Sequence, residues 1–187
     1  GAIEVYRDFL MTLAPTRMLV DPLAPRKLCI STTIHADCQS GMPIEKSAKL
    51  FVFDMDGRKV AGEVATRPGA ETLKLMAFTE DGGESLYLDA GDLWAWSPGT
   101  GKVRRIGAAP AGLREILPGP KGVGLWATGY DGIGPIRLGD PCRIEAAVPT
   151  ELTKEGFGRM GKYLTWEGDT LWFTNGLELV GVAVEGR

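Results

Sequence analysis

The sequence predicts an all-β chain assembled from about four copies of one sheet unit, and three observations carry that expectation. Ser85 to Arg105, SLYLDAGDLWAWSPGTGKVRR, reads as three strands and two turns. The β-rich runs Leu86-Tyr87-Leu88 and Leu93-Trp94-Ala95-Trp96 flank Asp89-Ala90-Gly91-Asp92. Pro98-Gly99-Thr100-Gly101 then reverses the chain into Lys102-Val103-Arg104-Arg105, proline fixing φ and the glycines taking positive φ. The pattern recurs: Phe51-Val52-Phe53-Asp54, Leu93-Trp94-Ala95-Trp96, Pro135-Ile136-Arg137-Leu138 and Leu177-Glu178-Leu179-Val180 begin 42 residues apart, at positions 51, 93, 135 and 177. Finally, 26 glycines and 12 prolines are dispersed between apolar runs, the composition of a turn-rich β protein. Strand repeats of this period are the blades of a β-propeller. The expected fold is therefore β-propeller-like, with four repeats forming either a small ring or an arc that closes by association. A β-sandwich is the competing architecture.

The 187 residues are read as a single domain, 1–187, long enough to bury its own core. With 21 basic and 24 acidic residues and a net charge of −3, the chain lacks the basic footprint of a nucleic-acid binder. No window of 18 apolar residues predicts membrane insertion, and the opening GAIEVYRDFL carries charges where a signal peptide needs an apolar stretch. The chain is expected to be soluble. The three cysteines, Cys29, Cys38 and Cys142, leave the compartment open. Cys29 and Cys38 are spaced to bridge a hairpin, while all three reduced and buried is the plainer alternative.

Taken in order, Ile3 to Leu13 has both helical and strand spacing. In the propeller reading it is the candidate to supply the outer strand that the last repeat lacks, which would remove exposed sheet edges. Thr16 to Pro25, with two prolines and no periodicity, reads as a connecting loop. Lys27 to Thr33 is expected as the inner strand of the first repeat, followed by the long polar segment His35 to Ser47. Lys49 to Phe53 and Lys59 to Val64 form a hairpin about Asp54-Met55-Asp56-Gly57. Leu73 to Phe78 opens the second repeat. The third comprises Leu113 to Leu117, Val123 to Thr128, Pro135 to Leu138 and Arg143 to Val148. A polar connector at 150–160 leads to the fourth, Lys162 to Trp166, Leu171 to Thr174 and Leu177 to Val184.

Aromatics on the central strands, among them Trp94, Trp96, Trp126, Trp172 and Phe173, are expected to fill the space between blades. Tyr130 and Trp166, beside glycine-containing turns, are the candidates for a platform that binds a sugar ring or a protein. His35 and Asp37 complete the candidate binding set, because they sit in the long loop of a regular scaffold, where binding residues gather. Cys29, His35, Asp37 and Cys38, with Cys142, contain zinc-ligand residue types, but Cys-x5-His-x2-Cys matches no standard structural zinc spacing, and no metal or other cofactor is predicted. His35 is the only histidine, which disfavours histidine-dependent catalysis.

Two short stretches resemble known families. Leu50-Phe51-Val52-Phe53-Asp54-Met55-Asp56-Gly57 resembles the first motif of haloacid dehalogenase-like phosphatases, an apolar strand ending in Asp-x-Asp-Gly. The resemblance implies a nucleophile at Asp54 and a general acid/base at Asp56 beside magnesium. It covers eight residues and departs at Arg58, after which a strand is expected instead of the family's helix. Leu93 to Val103 resembles the outer hairpin of quinoprotein-type and related bacterial propellers, which implies the fold more than any cofactor. The expected function is a non-catalytic binding or assembly module that presents loops to a protein or glycan partner, as a homo-oligomer or within a larger assembly. The alternative is a carboxylate-dependent hydrolase using Asp54 and Asp56.

Overall fold

A computed structural model of the chain describes residues 13–35, 45–120, 122–149, 152, 162–175 and 178–184. These residues form fifteen β-strands arranged as four antiparallel meanders. The first sheet has the order β1 (Ala14–Asp21), β2 (Ala24–Thr33), β3 (Lys49–Asp54), β4 (Lys59–Ala65). The second is β5 (Leu73–Phe78), β6 (Ser85–Asp89), β7 (Asp92–Ser97), β8 (Lys102–Ala108). The third is β9 (Glu115–Pro118), β10 (Leu125–Gly129), β11 (Gly132–Arg137), β12 (Arg143–Ile144). The fourth has three described strands, β13 (Lys162–Glu167), β14 (Thr170–Asn175) and β15 (Glu178–Ala183).

The 42-residue period marks one structural position. Phe51, Leu93 and Pro135 lie on β3, β7 and β11, the third strand of their sheets, and β15, the third strand of the last sheet, begins one residue after Leu177. Leu177 itself is outside the described residues.

The turns are those the residues dictate. Between β6 and β7 the two-residue loop has φ of 49° at Ala90 and 87° at Gly91, the double left-handed conformation whose twist matches a right-twisted hairpin. After β7, Thr100 and Gly101 donate their amides to the Ser97 carbonyl at 3.2 and 2.8 Å, and Gly101 closes the turn at φ 72°.

Three expectations need correction. Thr16 to Pro25 is not a loop: β1 and the start of β2 occupy most of it, paired from Ala14 with Thr33 to Asp21 with Ala24. Its two prolines are tolerated because Pro22 stands in the turn and Pro25 lies at the start of β2, ahead of the first residue paired with β3, Lys27, so no ladder amide is missed. Lys27 to Thr33 is accordingly in the second strand of the first repeat, not the first. The strand expected at Arg143 to Val148 is regular only over Arg143–Ile144. Beyond it the chain still follows β11, with Glu145 N donating to Pro135 O at 2.8 Å and Ala147 N to Ile133 O at 2.9 Å. The expected outer strand from residues 3–12 lies outside the described residues.

Contacts gather into two compact units. One is Gly1–Leu75, Gly82–Ala90 and Trp94–Arg104; the other is Met76–Asp81, Gly91–Leu93 and Arg105–Arg187. In the first, Thr32 Oγ1 accepts from Lys49 N at 3.0 Å, Ser31 Oγ accepts from Leu75 N at 3.0 Å, and Cys29, Ile30 and Leu50 are fully buried. Arg67 clamps the buried Asp89 carboxylate with two bonds of 2.6 and 2.8 Å. In the second unit, Trp126, Ile133 and Val148 of the third repeat pack with Leu164, Leu171 and Phe173 of the fourth. There Gly107 lies so close to the β11–β12 turn that a Cβ would meet Gly139 O at 2.1 Å, which excludes any side chain. Arg105 reinforces that approach by bonding both Asp92 and Asp140, and Asp140 also accepts the Ala108 amide at 3.1 Å.

Candidate functional site

In an antiparallel meander, the connection from first to second strand and the connection from second to third lie at opposite ends of the sheet, so topology sorts the candidate residues. His35 follows β2 and Tyr130 follows β10, both on second-to-third connections. Trp166 lies near the end of β13, beside a first-to-second turn. Asp37 and Cys38 are outside the described residues.

Tyr130 is the best defined of the set. Its side chain is 62% exposed, yet the ring is fixed. Gly112, at φ +64°, passes beneath it so closely that a Cβ there would lie 2.7 Å from three ring carbons, and Tyr130 N donates to Ala111 O at 2.9 Å. The glycine is required by both the close approach and the left-handed φ. Trp166 is different. It is half-buried, stands edge-on to Trp126 with centroids 5.4 Å apart, and packs against the apolar cluster of the third and fourth repeats. It thus also has the interblade packing role expected of the other aromatics. His35 is exposed, with Nε2 3.9 Å from Glu71 Oε2 and its amide donating to Thr33 Oγ1 at 3.2 Å.

Asp54 and Asp56 are engaged in turn chemistry. Asp54 Oδ1 accepts the amides of Asp56 and Gly57 at 2.9 and 3.0 Å, and these bonds, that of Gly57 foremost, hold its carboxyl below the ordinary value. Asp56 pairs with Arg26 at 2.8 Å. Arg58 follows at φ 51°, and the chain continues as β4, where the phosphatase motif would enter a helix.

Of the metal-ligand residue types, Cys29 and His35 in the first unit have opposite surroundings. Cys29 is a free thiol with no solvent exposure, and burial, followed by the charge of Asp21, pushes its pKa up to about 12, whereas His35 faces solvent. Cys38, the other half of the expected bridge, lies outside the described residues. Cys142 is also free and buried, its thiol donating to Gly139 O at 3.1 Å. Among the described residues, no three or more His, Cys, Asp or Glu side chains are grouped to hold a metal.

Two residues of the last sheet stand out: Tyr163, and Trp172, which is expected between blades but lies outside the apolar cluster. Tyr163 has φ +57°, a strained conformation for a bulky residue, at a bulge between Lys162 and Thr165, and is 71% exposed. The adjoining Leu164 amide is bound by the Glu115 carboxylate at 3.0 Å. Trp172 lies across Gly181 of the neighbouring strand, with its indole N–H on Glu167 Oε2 at 3.1 Å. Neither was visible in the chain: a positive φ at tyrosine has no sequence signal, and the Trp172–Gly181 pairing requires the strand register.

Four consecutive antiparallel meanders in sequence order define an all-β chain of the β-propeller fold. Solved propeller structures agree. The β-propeller domain of Cps50 (Swd1) from Myceliophteria thermophila matches with a TM-score of 0.51 at 14% identity, over 86% of this chain and 48% of its own. The dihydro-heme d1 dehydrogenase NirN, solved in complex with DHE, matches with a TM-score of 0.50 at 14% identity, over 94% of this chain and 36% of its own. The chain thus spans about half and about a third of these two structures, and at such identity the likeness is one of fold. No family model matches the sequence, and no curated protein does.

No helix among the described residues is long and apolar enough to cross a membrane.

Proposed function

We propose that this chain is a non-catalytic binding module whose Tyr130 turn engages a protein partner. The observation that carries the reading is the fixed, exposed Tyr130 ring braced on Gly112. Aromatic anchors dominate binding energy at protein interfaces, and a ring already held in place loses little conformational entropy on contact. The propeller fold shared with the Swd1 domain supports the reading, since a regular sheet scaffold displays its connections rigidly. The carboxylates favour it too. Asp54 and Asp56 are committed to a turn and an ion pair, Asp89 to Arg67, and Asp92 and Asp140 to Arg105.

The test compares affinity capture from lysate with the wild-type chain and with Tyr130→Ser, each quantified by mass spectrometry, followed by titration of the purified captured protein. A protein bound directly by wild type and at least about tenfold more weakly by Tyr130→Ser supports the reading. Equal affinity for both chains rejects it. So does turnover on a phosphoester and glycoside panel that disappears in Asp54→Asn/Asp56→Asn.

A further inference from the structure

The last sheet has two unlike faces. In an antiparallel ladder, directly opposed residues share a face, and the registers Thr165 with Trp172, Trp172 with Gly181, and Thr174 with Leu179 place these residues together. Glu167, opposite Thr170, and Ala183, opposite Thr170 from the other side, lie on the same face. The reverse face carries Leu171, Phe173, Val180 and Val182, all packed into the apolar cluster. The first face is thus hydroxylic and small around one tryptophan, and it reaches solvent: Thr165, Glu167, Gly181 and Ala183 are exposed, and Leu179 is 68% exposed.

A face that received another sheet of this fold would be expected to look like the reverse one, continuous in branched aliphatics and phenylalanine. This one has different chemistry. Trp172 is latched from two directions, by Glu167 through the indole N–H and by close contact of the ring with the Gly181 backbone, so the indole is held across the sheet surface instead of standing out from it. The ring is bordered by the Thr165 side chain on one neighbouring strand and by Gly181, which adds no bulk, on the other. Within the bulge of β13, Tyr163 is a second exposed aromatic.

The geometry points to a saccharide-binding platform on this face, with Trp172 as the stacking surface for a pyranose ring and Thr165 and Glu167 as hydrogen-bond partners for its hydroxyls. A pyranose is the ligand with matching duality: an apolar C–H face that stacks on an indole and a rim of hydroxyls that need donors and acceptors. Threonine hydroxyls supply both, and the Glu167 carboxylate retains acceptor capacity after receiving the indole N–H. The ligand class is an uncharged oligosaccharide long enough to extend from Trp172 toward Tyr163. This site is separate from the Tyr130 turn, and each can fail without the other.

The experiment is isothermal titration of the full chain with cellohexaose, xylohexaose, mannohexaose, chitohexaose and maltohexaose. At least one is expected to bind wild type, with affinity reduced at least about tenfold in Trp172→Ala and preserved in Trp172→Phe and in Tyr130→Ser. Gly181→Ala alters no group that touches the sugar but puts a methyl 2.8 Å from the ring, so it is expected to weaken binding by displacing the platform. Circular dichroism checks folding, and if Trp172→Ala does not fold, Gly181→Ala and Glu167→Ala decide. The proposal is overturned if none of the five sugars binds, if binding survives unchanged in Trp172→Ala and Gly181→Ala, or if sedimentation shows self-association that Trp172→Ala abolishes, which would make the face a contact between copies of the chain.

Discussion

The third and fourth sheets share one meander and differ in how their faces are used. Every residue of β10 is buried, from Leu125 to Gly129. On β14 burial alternates, Leu171 and Phe173 being buried while Thr170, Trp172 and Thr174 are partly exposed. The third sheet also packs backbone on backbone within itself: at Gly134 of β11 a Cβ would lie 1.9 Å from O of Glu145, just past β12. Among the described glycines of the fourth, Gly181 makes the comparable contact, against the Trp172 ring and not against backbone. A strand covered on both faces gives up amphipathic alternation and depends on glycine and small residues. A strand covered on one face keeps alternation and leaves the other face free to acquire chemistry.

The sharpest way to break this comparison is to remove a residue from each face of β14. Phe173→Ala empties a fully buried site, and urea denaturation is expected to show a loss of about 3–5 kcal/mol. Trp172→Thr, one residue away on the open face, is expected to cost no more than about 1 kcal/mol. Equal losses would mean that the open face is structural core.

Next in size is the glycine contrast. Gly134→Ala forces a methyl into a carbonyl and is expected to destabilise by about 1–3 kcal/mol, while Gly181→Ala needs only a tilt of the Trp172 ring and is expected to cost less. Thermal melts of the two variants, compared with wild type, rank them directly. The reverse order would contradict the assignment of rigid and yielding surroundings.

A smaller effect comes from pH. Asp140, in the β11–β12 turn, has its carboxyl held below the ordinary 3.8, by the bond from Arg105 first and the Ala108 amide second. A carboxyl with a depressed folded-state value contributes stability that is present above 3.8 and is lost as pH falls through that lower value. The urea midpoint of wild type is therefore expected to decline below pH 3.8 more steeply than that of Asp140→Asn, the two converging at the acid end. Parallel curves would remove Asp140 from the account. The smallest signal extends the comparison to the first sheet. Cys29, with no exposure and a pKa pushed to about 12, is expected to resist iodoacetamide at pH 8 in native buffer and to be alkylated only in denaturant, as read by mass spectrometry of the peptide that contains it.

The architecture was legible in the chain because its signals are local. Turn pairs such as Ala90-Gly91 and the apolar runs between them need no tertiary information, and a recurring third strand shows as a constant spacing. Thr16 to Pro25 was misread for a related reason: proline is barred from a paired position inside a sheet but not from a turn or the unpaired start of a strand, and which positions are paired is a property of the assembled sheet. The candidate site was only partly legible. Tyr130 could be chosen because it adjoins a turn, but the brace from Gly112, eighteen positions earlier in the chain, could not be seen. From the sequence, Trp166 is the platform candidate and Trp172 an aromatic expected between blades, and the register reverses them, packing Trp166 against the apolar cluster and placing Trp172 on the open face.

An all-β chain of repeated meanders follows from the residues alone, since strand period, turn chemistry and repeat spacing are written in neighbouring positions. Which aromatics are buried, which carboxylates are committed to turns and arginines, and which face of the last sheet meets solvent emerge in the folded chain. The physical reason is that burial and side-chain partnership depend on what a second strand or sheet brings within a few ångströms, and residues far apart in the chain supply those partners.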